Sequence, residues 1–263
     1  MLEIATYETR RRARGSVVLG VLLAILGAFV VAFFPSVAQS GPELQTYIEN
    51  LPPAFRAAFG VESFATLGGF LATELYQFGW VILLGLYFAY RAGSVVAGDV
   101  ESGRMDLLLS APVSRRRLVG EKFLSLLLPA VVVNVIAFAA VAISVAVIGE
   151  TVSLVDLAMV HVLSVPYLLS CAAIGLLLSV VTQDADLAQR GGLGAIIGLF
   201  LLDTIASTSD FEWAGALSPS RYYDPTAILV SGEYDLLGAL VLTAAAVLLV
   251  VVSREWFRRV DVQ

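Results

Sequence analysis

Six long apolar segments dominate this sequence of 263 residues. They cover residues 16–34, 70–90, 123–148, 157–181, 187–206 and 236–252. A helix needs about 20 mostly apolar residues to cross a bilayer, because each residue adds about 1.5 Å of length. Lipid offers no partner to free backbone N–H and C=O groups, and alternating strands of about ten residues, typical of a membrane barrel, are absent from the sequence. The sequence therefore predicts an all-α polytopic membrane protein, a single domain with six transmembrane helices.

The composition agrees with this prediction. Hydrophobic residues make up 59% of the chain and charged residues 14%, whereas a soluble domain has roughly 45–50% and about 25%. Mean hydropathy is +0.87. This balance excludes an ordinary water-soluble domain.

The positive charge indicates an orientation. Fourteen of the sixteen Lys and Arg residues lie before the first segment, between the second and third, at the start of the fifth, or after the sixth. Only Arg56 and Arg221 lie in the other two long loops, 35–69 and 207–235. Because basic residues are retained in cytoplasmic loops, both termini are predicted to be cytoplasmic and these two loops to lie outside.

Two features of the chain allow alternatives. The net charge of −6 and the presence of a single lysine fit the high-salt cytoplasm of a haloarchaeon, where carboxylates hold water. A GC-rich genome would also favour Arg over Lys.

The Arg-rich start, followed by an apolar run and residues 36–38 (Ser-Val-Ala), also fits a cleavable signal peptide. The run of residues 17–34 exceeds the roughly 7–15 apolar residues of such a signal, so we expect a retained signal anchor.

Several kinds of chemistry are excluded by residue counts. Cys171 and His161 are each alone in the chain, so an intrachain disulfide, a thiolate metal cluster and a Ser-His-Asp triad are ruled out. Lys122, the single lysine, follows Glu121 and not Gly, so this polypeptide has no phosphate-binding P-loop of its own. No catalytic or metal-binding residues are predicted.

Polar residues inside the apolar segments are candidates for a transport pathway, because burying them in lipid is costly. Asn134, His161 and Asp203 are the main ones. Simpler roles are a bond between helices for Asn134, contact with the outer membrane surface for His161, and exposure to water for Asp203. Gly194 and Gly198 form a GxxxG pattern, which predicts close helix packing within the subunit or between subunits.

The polar segment 98–122, between the second and third apolar segments, is the main candidate for contact with a partner. It carries a predicted short helix at residues 100–110, ended by Pro112, and Ser114 then caps the next helix. Arg115 and the two arginines after it occupy the first turn, where the helix dipole disfavours cations. They are explained either by lipid phosphates or by docking of a cytoplasmic partner.

This segment resembles the first cytoplasmic loop of type-2 ABC transporter permeases, whose pattern is approximately E, two or three residues, G-T, then L-L-x-x-P-x-S-R and K. The matching residues are Glu101, Gly103, Leu107, Leu108, Pro112, Ser114, Arg115 and Lys122. Arg104 replaces the usual Thr, so a role of that hydroxyl does not transfer. A second similarity, S-P-x-x-Y-x-x-P, begins at Ser218. The sequence WFRRVDV follows the last apolar segment, and Val260 interrupts the family's usual terminal pattern there.

The resemblance implies a six-helix permease of the plasma membrane, expected to be an exporter, that works as a homo- or heterodimer with separately encoded ATPase subunits. ATP and Mg²⁺ would bind those subunits, so this chain is not expected to be an enzyme. Segment 98–122 would be the coupling helix, seated on the ATPase through Glu101, Gly103, Arg104, Met105, Leu108, Leu109, Pro112, Ser114, Arg115 and Lys122. A secondary transporter or a membrane-embedded enzyme is the alternative.

The orientation gives the first testable prediction. A cysteine introduced as Ser102→Cys, in a Cys171→Ala background, should react with an impermeant thiol reagent only from the cytoplasmic side, because the flanking arginines are retained there. Glu233→Cys in the same background should react only from outside and serves as the matched control. Labelling of the Ser102→Cys variant from outside would reverse the proposed topology.

Overall fold

A computed structural model describes residues 3–39, 50, 52, 66–110, 113–207, 209 and 211–259. In these ranges the chain is helical and contains no strand. Six helical stretches, numbered here spans 1 to 6, are long and apolar enough to cross a membrane: Glu3–Ala38, Leu67–Glu101, Arg115–Ile148, Leu154–Thr182, Ala185–Ala206 and Leu236–Arg259. The predicted all-α fold with six candidate membrane helices is confirmed.

Several helices are longer than the apolar segments that predicted them. Span 1 begins at Glu3, ahead of its apolar part at residue 16, and span 6 continues to Arg259, beyond residue 252. Arg and Glu are good helix formers, and their long side chains place the charge away from the apolar surface. The charged ends therefore continue the membrane helices as polar extensions.

Spans 2 and 3 are interrupted. Span 2 consists of Leu67–Phe70, a widened π-helical stretch Leu71–Leu84, then Gly85–Gly93 and Ala97–Glu101. A π-helix is usually a single turn and is frequent at functional sites, whereas this one has 14 residues. Span 3 is divided into Arg115–Leu124 and Leu127–Ile148.

Helix ends follow ordinary capping chemistry. The Ser114 hydroxyl accepts from the N–H of Arg117 at 3.3 Å, so the predicted cap is confirmed. The Asp184 carboxylate accepts from Leu187 N–H at 2.8 Å and caps span 5. Each cap satisfies one of the four N–H groups that a helix start leaves without a partner.

The ends of all six spans meet in the order expected of a chain that crosses a membrane repeatedly. The starts of spans 1, 3 and 5 and the ends of spans 2, 4 and 6 lie together, as four hydrogen bonds show: Ile4 to Glu121, Val96 to Ser179, Ala185 to Glu101 and Arg254 to Arg116. We call this end of the bundle the arginine side. The basic residues predicted to share one side of the membrane thus share one face of the fold.

Spans 2, 4 and 5 approach one another most closely, through small residues. A Cβ on Gly175 would lie 2.1 Å from the carbonyl oxygen of Ala89, and one on Gly192 would lie 3.2 Å from the same atom. Gly93 is similarly close to the backbone of Ala188 in span 5. In lipid, where the hydrophobic effect between helices is absent, such contacts supply the dispersion energy that holds helices together.

The glycine packing predicts a sharp difference between two substitutions. Gly175→Ala should destabilise the protein by about 1–3 kcal/mol, because the backbone of span 2 must move to accommodate the methyl group. Gly79→Ala is the control, since its Cβ would meet nothing within 4 Å and alanine favours helix. The measurement is the apparent Tm in detergent, and an equal Tm for both variants would contradict the close approach.

Candidate functional site

Segment 98–122, called the coupling segment here after the role that the resemblance implies, is divided at Gly103. Its φ of +68° lies in the left-handed region that glycine adopts without strain. The predicted single helix at residues 100–110 is therefore wrong in detail: one helix ends at Glu101 and another runs over Arg104–Ser110. Pro112, expected to end that helix, lies outside the described residues.

The Arg104–Ser110 helix presents a different apolar side chain from the expected set. Met105 is 1% exposed and belongs to the core, and Leu108 and Leu109 are half-buried against it. Leu107 is 74% exposed, with Asp106 exposed beside it. Leu107, rather than Met105, is thus the apolar side chain available to a partner.

Glu101 joins the coupling segment to span 5. Its Oε1 accepts from the N–H of Ala185 at 2.6 Å, at the start of that span. A carboxylate here satisfies a free N–H and complements the positive end of the helix dipole. Ser179 in span 4 similarly accepts from the N–H groups of Val96 and Ala97, at 3.1 and 2.9 Å. Spans 4 and 5 are therefore tied directly to the residues that lead into the coupling segment.

Lys122 is the centre of a buried ionic cluster. Its side chain is 1% exposed, and its Nζ donates to Glu8 Oε1 at 3.1 Å and to the carboxylate of Asp99. Asp99 also pairs with Arg104, whose Nη2 lies 2.6 Å from Oδ1. Lys122, expected to face the ATPase, is instead buried and connects spans 1, 2 and 3. Arg104 links the Arg104–Ser110 helix to the end of span 2, and its side chain is 42% exposed. Removing one partner from a buried pair costs about 3–5 kcal/mol, so these contacts hold the segment firmly.

Two of the three arginines at the start of span 3 contact span 6, and the third is linked to span 1 through Glu121. Arg116 pairs with Glu255 at 2.6 Å, and the Arg115 guanidinium lies 5.9 Å from the ring centroid of Phe257. Arg117 pairs with Glu121, whose other oxygen accepts from the N–H groups of Ile4 and Ala5. The unfavourable interaction of these cations with the helix dipole is thus offset by the carboxylates of Glu255 and Glu121 and by the ring of Phe257.

A second polar cluster is buried among spans 2, 3 and 4. Asn134 Oδ1 accepts from Trp80 Nε1 at 2.8 Å and lies 2.8 Å from His161 Nδ1. Asn134 Nδ2 donates to its own helix at Ala130, which identifies Oδ1 as the acceptor and His161 Nδ1–H as a donor. The expected bond between helices at Asn134 is present.

His161 is enclosed by aromatic rings and does not reach the outer surface. It is 3% exposed, and its Nε2 lies 2.9 Å from the hydroxyl of Tyr76. The rings of Tyr76, Trp80 and Phe138 surround it edge-on, with centroids 5.3 to 5.9 Å away. Both ring nitrogens therefore have partners inside the protein, and the cluster joins three spans.

Asp203 lies at the opposite end of the bundle from the arginine side. Its Oδ2 accepts from Ser220 at 2.9 Å, and its Oδ1 is 3.5 Å from Arg221. Nearby, Tyr234 donates to Asp156, and this hydrogen bond raises the pKa of the Tyr234 phenol. These bonds fasten the loop before span 6 to the start of span 4 and the end of span 5.

The two glycines of the GxxxG pattern make no close contact within the described chain. A Cβ on Gly194 or Gly198 would meet nothing within 4 Å. Leu201 and Ile205 follow on the same face of span 5 and are 51% and 64% exposed. The close packing inside the subunit instead uses Gly192, two residues earlier.

Sequence reasoning missed the partners of these clusters. Glu8, Asp99, Tyr76 and Trp80 were not among the predicted site residues, because their contacts join positions far apart in the chain. One signal was available: a lone lysine at the border of an apolar segment requires a carboxylate from elsewhere. Among the described residues, no group of three or more His, Cys, Asp or Glu is arranged to hold a metal ion.

The buried cluster predicts a measurable loss on removing its acceptor. Asn134→Leu leaves the N–H groups of Trp80 and His161 without a partner, and intramembrane bonds average about 0.6 kcal/mol each, so the variant should lose about 1–2 kcal/mol. Ser170→Ala is the control, because Ser170 is buried and, among the described residues, bonds only within its own helix, at Tyr167. Thermal unfolding in detergent measures both; equal stability would show that the cluster does not join the spans.

Comparison with known proteins gives the wider context. The chain matches the family described as ABC-2 family transporter protein over residues 2–218, which include spans 1 to 5 and the coupling segment. No curated protein matches the chain. Because the match covers most of the sequence and the fold supplies six candidate membrane helices, this multi-pass membrane protein belongs to the ABC-2 transporter family.

Proposed function

We propose that the chain is the permease subunit of an ABC exporter, driven by a separate ATPase that binds the coupling segment. Family membership supports the transport role, and the exposed Leu107 on the arginine side is the observation that carries the proposed coupling. ATP and Mg²⁺ bind to the partner, while this chain supplies the membrane path. Both termini and the coupling segment lie in the cytoplasm of the cell whose plasma membrane holds the protein.

The proposed docking surface is small and is centred on one exposed apolar side chain. Leu107 and Asp106 project from the Arg104–Ser110 helix, while Met105 fixes the helix to the core from its other face. A few fully buried side chains commonly supply most of an interface's energy, and Leu107 is the most exposed apolar side chain of this helix. Glu101 and Arg115, at either end of the segment, are placed to add polar contacts around this side chain.

The connections of the segment explain how its movement reaches the spans. Lys122 ties it to Glu8 in span 1, and Glu101 ties it to the start of span 5. Ser179 connects span 4 to residues immediately before it. A displacement of the segment by the ATPase thus moves several helices together. Such a concerted movement is required if the helices move as rigid bodies to alternate between inward and outward access.

A second permease subunit completes the transporter in this proposal. Gly194 and Gly198 leave a shallow stripe on span 5, continued by exposed Leu201 and Ile205. Small residues at this spacing allow two membrane helices to approach closely. The second subunit is an identical or a related chain, and Asn134, His161 and Asp203 stay candidates for residues that influence the path.

The coupling proposal is tested with two exposed leucines. Leu107→Asp should reduce co-purification of the cognate ATPase at least about tenfold, because a charge at a buried anchor costs more than about 1.4 kcal/mol. It should also abolish permease-dependent ATP hydrolysis. Leu217→Asp is the matched control, since Leu217 is 69% exposed at the other end of the bundle.

Both variants should keep the Tm of the wild type, because neither side chain is buried. Unchanged assembly and unchanged ATP hydrolysis in Leu107→Asp would refute docking through this helix. Loss of assembly in both variants would show that the effect is not specific to the coupling segment.

A further inference from the structure

A basic cavity lies on the arginine side, between spans 1, 2 and 3. It has a volume of about 170 Å³, whereas a single water needs only about 10–15 Å³. Its charged lining comprises five cations and two carboxylates: Arg11, Arg12, Arg91, Arg104, Lys122, Glu8 and Asp99. The cavity lining therefore carries a formal net charge of +3.

The two carboxylates are already shared. Glu8 accepts from Lys122 with one oxygen and from Arg12 with the other, at 3.1 and 3.3 Å. Asp99 pairs with Lys122 and Arg104. Among the described residues, no carboxylate lies within ion-pair distance of Arg11 or Arg91. The excess positive charge therefore belongs to these two arginines and the half-satisfied Arg12.

Arg12 has an N–H that lacks an acceptor. Its side chain is only 11% exposed, and its Nε is buried with no hydrogen-bond partner among the described residues. A buried donor without an acceptor costs about 1–3 kcal/mol. An anion in the cavity relieves this cost and the mutual repulsion of the arginines at the same time.

An apolar extension adjoins the charged cavity. A second cavity of about 90 Å³ shares Arg11, Arg12 and Arg91 with the first, and its other lining includes Tyr87, Phe88, Leu126 and Pro129. It lies where the apolar part of span 1 begins, at Gly15 and Ser16. Guanidinium groups beside an apolar slot match a phosphate that carries a hydrocarbon chain.

We propose that Arg11, Arg12 and Arg91 form a binding site for a phosphate group, occupied by the headgroup of an anionic phospholipid with its acyl chain along the apolar extension. A soluble phosphate ester presents the same phosphate chemistry to the three arginines and is the other source of the ligand. The site depends on the membrane setting of the chain and not on its coupling to an ATPase.

The test uses the purified full-length permease in phosphatidylcholine nanodiscs, titrated with phosphatidylglycerol and followed by native mass spectrometry. Arg11→Gln with Arg91→Gln should weaken retention of phosphatidylglycerol about tenfold or more, since a basic residue near an anionic surface contributes about 1 kcal/mol. Arg10→Gln with Arg14→Gln is the matched control: it removes the same total charge from the arginine side, and neither residue lines either cavity. It should change retention less than about twofold.

Competition identifies the source of the phosphate. Displacement of phosphatidylglycerol by millimolar glycerol phosphate would assign the site to a soluble ester, and resistance to it would assign the site to lipid; both outcomes support a phosphate site. Equal retention of phosphatidylcholine and phosphatidylglycerol would overturn it. Equal losses in the two double variants would also overturn it, because the effect would then come from surface charge alone. The Tm without added lipid checks that both variants are folded.

Discussion

The ion pairs of Lys122 determine how the arginine side is assembled. A lysine that is 1% exposed cannot remain charged without close carboxylates, and Glu8 and Asp99 supply them from two other spans. Lys122 of span 3 thus binds span 1 and the end of span 2 at the same point. This junction lies at the base of the coupling segment. The ion pairs of Lys122 therefore hold the spans together and also anchor the coupling segment.

The second buried cluster joins spans in the same way, within their apolar parts. Spans 2, 3 and 4 meet around Asn134 and His161, and the widened helix of span 2 brings Tyr76 and Trp80 to the same point. Intramembrane hydrogen bonds are individually modest. Their directionality nevertheless specifies one register of three helices, which the glycine contacts of spans 2, 4 and 5 then consolidate. One rigid group of spans results, joined to the arginine side by Ser179.

The predictable part of this structure is the part determined by local sequence. Six helices follow from apolar length, the Ser114 cap follows from its place shortly after Pro112, and the shared arginine side follows from where the basic residues lie. The orientation of side chains on the short helix was not predictable in the same way. Gly103 changes the helical phase, so Met105 turns inward and Leu107 outward. The partners of Lys122 and His161 come from residues 23 to 114 positions away, and a single sequence carries no direct signal of such contacts.

The basic cavity and the coupling segment share charged groups, so the proposed phosphate site would link membrane composition to the proposed coupling. Arg104 and Lys122 line the cavity and also hold Asp99, which precedes the Leu107 helix. An anion bound to the neighbouring arginines lowers the local positive potential, because like charges in a poorly hydrated site repel strongly. The anion attracts Lys122 and Arg104 but repels Glu8 and Asp99, so its binding would alter the ion pairs that hold the segment. A ligand that favours this arrangement over a displaced one shifts the equilibrium toward it by the difference in its two affinities. If both proposals hold, the resting position of the segment depends on the ligand in the cavity as well as on the ATPase.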